Sequence, residues 1–489
     1  MRTATTIEAS GGANWQEQAD FVVEAERLGL DVCWVAEAWG SDAPSALGYY
    51  AARTERILLG SGIMQVGIRT PVAVAQTAIA LANLSGGRFL LGLGASGPQV
   101  IEGLHGVPFA RPLARMRETV QIVREALAGG KISFSGAEFT IPLRGGDAVP
   151  MRLSTRAEHP IPVYLAALSP GMLRLTGEIA DGWLGTSFIP EAAGAYLTYL
   201  DEGLARGGRP RTALDICQGA EVAFAPDEDT LAAMIAGRKK DLAFSLGGMG
   251  SATTNFYNQA YSRQGWAEVA AEVRDRWQAG DRDGAANLVT DEMVLATTLI
   301  GTEPMVRQRL RAWHRAGVTT VRLYPSGATL DARLATLAKA IAFVQELGDG
   351  LLSGILRLPA GPDLQVPKAD PPGPDGHIRV SATVTGQRPE QALASSSHAR
   401  PAPPHRGVTA IRPAPPAAKA EPRSDCPLIL LTGRVFFPLL LPTVRAQPGS
   451  SEIREYRVRG PPLLFAPVPA LRPGGRAEHV TRDLCGLVS

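Results

Sequence analysis

Short runs of β-branched and apolar residues alternate with longer amphipathic segments along the first 350 residues of the chain. In the first amphipathic segment, Phe21, Val22, Ala25 and Leu28 recur at the spacing of one helix face, and Gly29 follows them. Such alternation is typical of βα units on a parallel sheet. Eight units can be counted, which favours closure into a (β/α)8 TIM barrel over an open sheet.

The predicted strands span residues 3–9, 31–37, 56–65, 88–94, 161–167, 181–187, 214–224 and 319–324. The predicted helices span residues 15–28, 43–54, 112–127, 170–180, 191–206 and 330–347, and Pro71 opens one more. Residues 131–159 do not fit the repeat and predict an excursion with a short hairpin. A long insertion follows the seventh strand to about residue 300. We expect functional side chains at the carboxyl ends of the strands.

Composition changes near residue 350. The last 139 residues (351–489) hold 23 of the 38 prolines and carry 17 Lys+Arg against 10 Asp+Glu, whereas residues 1–350 carry 32 against 37. A chain rich in Pro, Ala and Arg supports neither helical periodicity nor a core. We therefore predict a barrel over residues 1–350 and a disordered tail over residues 351–489. The tail is either the product of a frameshift or read-through, or a genuine partner-binding segment.

Motifs that are typical of several classes of protein are absent from the sequence. The four cysteines lack CxxC spacing, and the chain contains no GxSxG elbow, P-loop or HExxH motif. No basic stripe with interleaved aromatic residues indicates nucleic acid. The N-terminus lacks a secretory signal, and the apolar run 428–441 is broken by Arg434 and Pro438. We expect a cytoplasmic protein that binds no metal, nucleic acid or membrane.

A literal GxGxxG motif, from Gly92 to Gly97, ends the fourth predicted strand. It suggests a Rossmann turn, but Pro98 follows it, no helix is predicted before Pro112, and Glu118 lies inside that helix rather than at a strand end. The preferred interpretation is that the glycines let the strand mouth approach a planar ligand.

The turn from Ala166 to Met172 leads into a predicted helix. Its exposed N–H groups can bind a phosphate, or Ser169 can act as an ordinary N-cap, and local residues favour neither.

Individual polar and aromatic residues near strand ends are weaker candidates. Glu37 ends the second strand beside Trp39, where a carboxylate can bind a polar ring, although a lone glutamate is more commonly a solvated rim residue. Trp183 can wall a pocket or pack in the core. His105, in the loop after the fourth strand, is a candidate for proton transfer.

Long segments of the chain resemble the bacterial luciferase-like monooxygenase superfamily. The resemblance rests on CWVAEAWGSDAPSALGYYAARTERILLGSGIMQ and on RTPVAVAQTAIALANLSGGRFLLGLGASGPQV, and LAFSLGGMGSATTNFYNQAYSRQGW and AGVTTVRLYPSG extend it to about residue 348. It is nearest to the actinobacterial branch predicted to use the deazaflavin coenzyme F420. The resemblance implies a (β/α)8 barrel with insertions and a homodimer.

The resemblance also implies a cofactor site. A cis peptide bond at Gly62-Ile63 would support one face of the ring, and Glu37 and Gln65 would meet the ring edge. The cofactor would also contact Ala95 and Ser96 at the end of the fourth strand. The phosphate loop would be formed, after the fifth strand, by Leu168, Ser169, Gly171 and Met172.

Two departures bear on the substrate. The sugar-phosphate dehydrogenases of the superfamily carry a histidine where this chain has Ala38 and a glutamate where it has Gly97, so sugar-phosphate oxidation is not expected. The leading hypothesis is hydride transfer between F420 and a small organic substrate. The substrate pocket would then be lined by Trp39, His105 and Trp183. Glu37 or His105 would accept or donate a proton.

Two alternatives stay open. One is an FMN-dependent monooxygenase supplied by a separate flavin reductase. The other is a catalytically idle flavin-binding protein.

Overall fold

The computed structural model describes residues 1–8, 14–251 and 253–355. Its strands are β1 Arg2–Glu8, β2 Val32–Ala36, β3 Leu58–Ser61, β4 Met64–Gln65, β5 Phe89–Gly94, β6 Phe134–Ser135, β7 Thr140–Ile141, β8 Val163–Ala166, β9 Gly182–Gly185, β10 Asp215–Phe224, β11 Leu299–Gly301 and β12 Thr320–Pro325.

The α-helices are α1 Trp15–Arg27, α2 Ala43–Ala51, α3 Pro71–Leu84, α4 Pro98–Ile101, α5 Pro112–Leu127, α6 Pro170–Ile179, α7 Gly194–Arg206, α8 Glu228–Gly247, α9 Phe256–Tyr261, α10 Ala267–Gln278, α11 Arg282–Leu288, α12 Asp291–Thr297, α13 Glu303–Arg315 and α14 Leu330–Ile355.

Eight parallel strands close into a barrel in the order β1, β2, β3, β5, β8, β9, β10, β12. The ring closes because β12 pairs with both β10 and β1. β4 continues the path of β3 alongside β5, and β11 pairs with the end of β10. The predicted (β/α)8 barrel is therefore confirmed, including all eight strand positions.

Alternation along each strand divides the apolar side chains into two cores. Facing the barrel lumen are Ala4, Val32, Trp34, Leu90, Tyr164, Leu184 and Cys217. The residues between them pack against the surrounding helices in a much larger core. Continuous apolar strands such as β5, in which all six residues are buried, result from burial on both faces.

The third strand differs from the prediction of one run over residues 56–65. It is interrupted after Ser61, and its register against β5 changes there. Leu59 pairs with Phe89, whereas Met64 pairs with Leu93, so this side of the ladder holds one extra residue. A single additional residue of this kind is a bulge, which redirects a strand end.

A short helix also corrects the prediction that none begins before Pro112. α4 starts at Pro98 with Gly97 at its N-cap position. Proline suits the first turn of a helix because its missing N–H has no partner there in any case. One turn is too short to show helical periodicity, so the pattern did not reveal it.

The excursion and the insertion have the predicted places. β6 and β7 form the short antiparallel hairpin, which confirms that expectation. Helices α8, α10, α11 and α12 of the insertion enclose a small apolar core that includes Leu242, Val273 and Met293.

The additional strand β11 was not predicted. The last helix continues to Ile355, past its predicted end at residue 347.

The predicted tail lies outside the described residues from residue 356 onward. Within the described part of the chain, no helix combines the length and apolar character needed to cross a bilayer.

Candidate active site

The cis peptide bond expected between Gly62 and Ile63 is present at the carboxyl end of β3. Ser61 bridges the interrupted ladder there. Its hydroxyl accepts the N–H of Gly92 at 2.9 Å and donates to the Gly92 carbonyl at 2.8 Å. The half-buried Ile63 side chain packs with the lumen residues and lies against Gly94, where an added Cβ would overlap it. The role of this bond beside a cofactor ring stays a prediction.

The close approach of β3 and β5 explains the GxGxxG glycines. A Cβ built at Gly92 would overlap the carbonyl oxygen of Ser61, and one at Gly94 would overlap Ile63. These glycines therefore allow two strands to meet rather than form a dinucleotide turn. Beyond them, Ala95 and Ser96 are half-buried at the mouth, and Ser96 has a φ of 61°.

Glu37 has a structural role in this fold. Its carboxylate forms a two-pronged ion pair with Arg69, in which Nη2 lies 2.8 Å from Oε2. It also accepts the N–H groups of Ala43 at 3.0 Å and Gln65 at 3.3 Å. Because these donors occupy both oxygens, the carboxylate ties the loops after β2 and β4 together. This arrangement argues against Glu37 as the group that handles a proton.

Gln65 is likewise part of the framework. It is 1% exposed, and its Nε2 donates to the Ala38 carbonyl at 3.0 Å. Its Oε1 is buried and has no hydrogen-bond partner among the described residues. Gln65 can therefore contact a ring edge through that oxygen or through the second N–H of its amide.

The turn after β8 carries the residues for which the sequence left two interpretations open. Ser169 caps α6, accepting the Met172 N–H at 3.5 Å, so the N-cap interpretation is confirmed. The turn is also half-buried at Leu168 and Gly171. Whether an anion binds at this helix N-terminus stays a prediction.

Arg263, from the turn Ser262–Trp266 of the insertion, adds a cation beside that loop. Its Nη2 donates to the Leu168 carbonyl, and its Nε is buried without a partner among the described residues. The neighbouring Gln264 fastens this turn to the barrel by donating to the Ser187 carbonyl at 2.6 Å and accepting the Ile189 N–H at 2.8 Å. Sequence reasoning missed Arg263 because it lies about 95 residues from the loop it contacts.

The three predicted pocket residues lie in different environments. Trp183 is fully buried, packs against Phe188 and Tyr196, and donates its indole N–H to the Ala167 carbonyl at 2.9 Å. It faces the helical layer, so the prediction that it walls a substrate pocket is wrong. Trp39 is 59% exposed and His105 is exposed after α4, and their predicted roles stay predictions.

The wall of the lumen opposite β3 and β5 carries polar residues that the sequence analysis did not select. On β10, Cys217 belongs to the lumen core and Gly219 lies under the Tyr324 hydroxyl, so the alternating residue Glu221 faces the mouth. Arg322 and Tyr324 occupy the matching face of β12. The only signal in the sequence was their alternation within two predicted strands.

Burial raises the pKa of the Glu221 carboxyl, although Arg238, 3.6 Å from it, acts in the opposite direction. A carboxyl with a raised pKa at the carboxyl end of a barrel strand is a candidate acid or base.

Glu221 should also make stability depend on pH. Because its pKa is higher in the folded than in the unfolded state, its contribution to stability is fully present below the unfolded pKa and is lost as the pH rises through the folded pKa. We expect Glu221→Gln to stabilise the protein relative to wild type at pH 7 but not at pH 4, in urea unfolding at both values. Glu125→Gln, at an exposed position of α5, is the control for loss of one negative charge. A difference between Glu221→Gln and wild type that does not change with pH would contradict this expectation.

The closed barrel and the groups gathered at its mouth define a (β/α)8-barrel protein with its candidate site at the carboxyl ends of the strands. A model of the luciferase-like monooxygenase family matches residues 2–320. The chain belongs to the luciferase-like monooxygenase family, which confirms the resemblance seen in the sequence.

Relatives of this chain include proteins named as an oxidoreductase and as a reductase. The chain is 41% identical over 314 residues to a Mycobacterium tuberculosis protein provisionally named a coenzyme F420-dependent oxidoreductase, covering 62% of this chain and 89% of that protein. It is 30% identical over 318 residues to the 5,10-methylenetetrahydromethanopterin reductase of Archaeoglobus fulgidus, covering 64% and 91%.

A solved structure shares the fold. The coenzyme F420-dependent tetrahydromethanopterin reductase of Methanopyrus kandleri aligns with a TM-score of 0.57 at 23% identity, covering 69% of this chain and 97% of that one.

Proposed function

We propose that this protein is an oxidoreductase that binds coenzyme F420 at the carboxyl-terminal mouth of the barrel and transfers hydride between the deazaflavin and a small organic substrate. The observation that carries the proposal is the redirected end of β3, where Ile63 lies against Gly94 at the edge of the lumen. The relatives whose names include F420 support the choice of cofactor. A deazaflavin supplies hydride chemistry when bound.

The residues at the mouth fit such a cofactor. Ile63, Ala95 and Ser96 offer a half-buried surface of small and apolar groups to a planar ring. At the N-terminus of α6, a ten-residue helix, Pro170 has no N–H and Ser169 accepts the N–H groups of Met172 and Leu173, so the first turn offers the Gly171 N–H to an anion. The Nε of Arg263, which is unpartnered among the described residues, adds a charged donor. We assign the phosphate of the cofactor to this loop and to Arg263.

Glu221 is the residue we propose to hold a proton during turnover. Its carboxyl lies at the mouth with a raised pKa, whereas the Glu37 carboxylate is committed to Arg69. His105 remains an alternative. A homodimer is also proposed, as is a separate flavin reductase if the cofactor is FMN.

Cofactor binding tests the proposal directly. Purified full-length protein is titrated with F420 and with FMN, and binding is followed by fluorescence. We expect tight binding of F420 and none of FMN. Preferential binding of FMN would instead support the monooxygenase function, for which the family description is the supporting observation. Binding of neither cofactor would overturn both functions.

Arg263→Met should weaken F420 binding by about tenfold or more, because a hydrogen bond to a charged group contributes roughly 1.5–3 kcal/mol. The measurement is the Kd for F420, compared with the Kd for a phosphate-free deazaflavin riboside, which should not change. Arg276→Met, in an exposed ion pair with Asp281, is the matched control. Equal weakening of both ligands by Arg263→Met would show that Arg263 does not contact the phosphate.

A further inference from the structure

Arg322 is a buried cation in the lumen of the barrel. It is 6% exposed, and its neighbours Val321 and Leu323 point outward into the helical core, so the arginine faces inward. Its positive charge acts to lower the pKa of the thiol of Cys217, a lumen residue, which agrees with that placement. In the strand order of the barrel, β12 lies opposite β5, and β10 lies opposite β3. Arg322 therefore stands across the lumen from the proposed cofactor surface.

The charge of Arg322 is poorly compensated by the protein. Its Nη2 donates to the Gly185 carbonyl, while its Nε is buried with no partner among the described residues. Among the described residues no carboxylate lies within 4.0 Å of the Arg322 guanidinium. Glu221, on the adjacent strand, is paired with Arg238. A guanidinium cannot lose its proton to escape burial, so a buried, unpaired arginine is costly to the fold.

Other polar side chains lie near Arg322 in the lumen. The hydroxyl of Thr6, on the lumen face of the neighbouring strand β1, is also buried without a partner among the described residues. Tyr324 lies beside Arg322, with the guanidinium carbon 5.9 Å from its ring centre. These donors on one wall of the lumen are suited to an oxygen-rich anion.

Tyr257, on α9 of the insertion, is half-buried. Burial raises the pKa of its phenol, and Tyr324, Glu8 and Arg322 also act on it electrostatically. Asn255, which is fully buried, holds the start of α9 by donating to the carbonyls of Ser245 and Leu246 at 3.0 and 2.9 Å. Tyr257 therefore adds a residue of the insertion to the electrostatic environment of Arg322.

We propose that Arg322 anchors a carboxylate of the substrate, so that the organic substrate of this enzyme is a small carboxylic acid bound between the cofactor and the wall formed by β10 and β12. This inference rests on the proposed function. The anchored carboxylate neutralises the guanidinium, and Tyr324 lies beside it.

The test uses the full chain loaded with F420 and a matched pair of probes, benzoate and its uncharged isostere benzamide. Each is titrated while the absorbance of the bound cofactor and the melting temperature are recorded. We expect benzoate to perturb the cofactor spectrum and raise the melting temperature, and benzamide to do neither. Arg322→Gln should weaken benzoate binding by about tenfold or more and leave the Kd for F420 within about twofold, whereas Arg322→Lys should retain part of the benzoate affinity.

Stability of the ligand-free variant separates anchoring from a structural role. An uncompensated buried charge contributes no stability, so Arg322→Gln should melt at or above the wild-type temperature. A markedly lower melting temperature would assign Arg322 to the framework and overturn the proposal. Equal benzoate binding by wild type and Arg322→Gln, or a tenfold loss of F420 affinity in that variant, would also overturn it. If wild type fails to bind F420, the proposed function fails, and benzoate binding to the unloaded protein by calorimetry still decides the role of Arg322.

Discussion

Replacing Glu37 with glutamine is expected to lower the free energy of unfolding by about 3–5 kcal/mol, because it leaves the Arg69 guanidinium without its counter-charge. The side chains of Glu37 and Arg69 are 5% and 19% exposed, so water can hydrate the unpaired guanidinium only weakly. The change also weakens acceptance of the Ala43 and Gln65 N–H groups. Urea unfolding at pH 7 measures the loss. Affinity for F420 should fall with it, since the same carboxylate holds the loop that follows the cis bond.

Glu24→Gln is the matched control for Glu37→Gln. Glu24 pairs with Arg27 on the surface of α1, where the side chains are 40% and 68% exposed. Such pairs contribute about 0–1 kcal/mol. The double variant Glu37→Gln/Arg69→Met should recover part of the stability lost by Glu37→Gln, because it removes the unpaired charge. A loss below about 1 kcal/mol for Glu37→Gln would show that the carboxylate is not structural.

Gly92→Ala is expected to destabilise the barrel by about 3 kcal/mol or to prevent folding, the upper range for overpacking a core. Its Cβ would overlap the Ser61 carbonyl and would lie 2.9 Å from Cδ1 of Leu184. A backbone oxygen held in a closed barrel cannot move aside as a flexible side chain can. The measurement is the midpoint of urea unfolding, together with the yield of folded protein.

Gly48→Ala provides the comparison for Gly92→Ala. Gly48 lies inside α2, and nothing stands within 4 Å of the position its Cβ would take. Alanine there should stabilise the helix by about 0.5–1 kcal/mol, because glycine has the greater entropy loss on folding. If the two variants unfolded at the same urea concentration, the steric explanation of the GxGxxG motif would be wrong.

At the mouth of the barrel, one cause separates the residues that could be placed from the sequence from those that could not. Residues in a strand or in its following turn could be placed from local pattern, and the cis bond at Gly62-Ile63 followed from the family resemblance. Glu37 was found at the correct strand end, but its partner Arg69 lies 32 residues away, so its framework role could not be seen. Trp183 was misassigned because a tryptophan in a barrel strand suits the lumen or the outer core equally, and only the alternation of β9 in the folded barrel distinguishes them.

The sequence by itself determined the (β/α)8 barrel, its eight strands, the place of the insertion and the family, because these depend on local periodicity and on contiguous motifs. The tertiary structure alone decided which charges are compensated. Arg263, Glu221 and Arg322 become significant only when the insertion, β10 and β12 close around the lumen. The physical reason is that desolvation and pairing of a charge depend on neighbours distant in the chain, whereas the preference for strand or helix depends mainly on neighbours within a few residues.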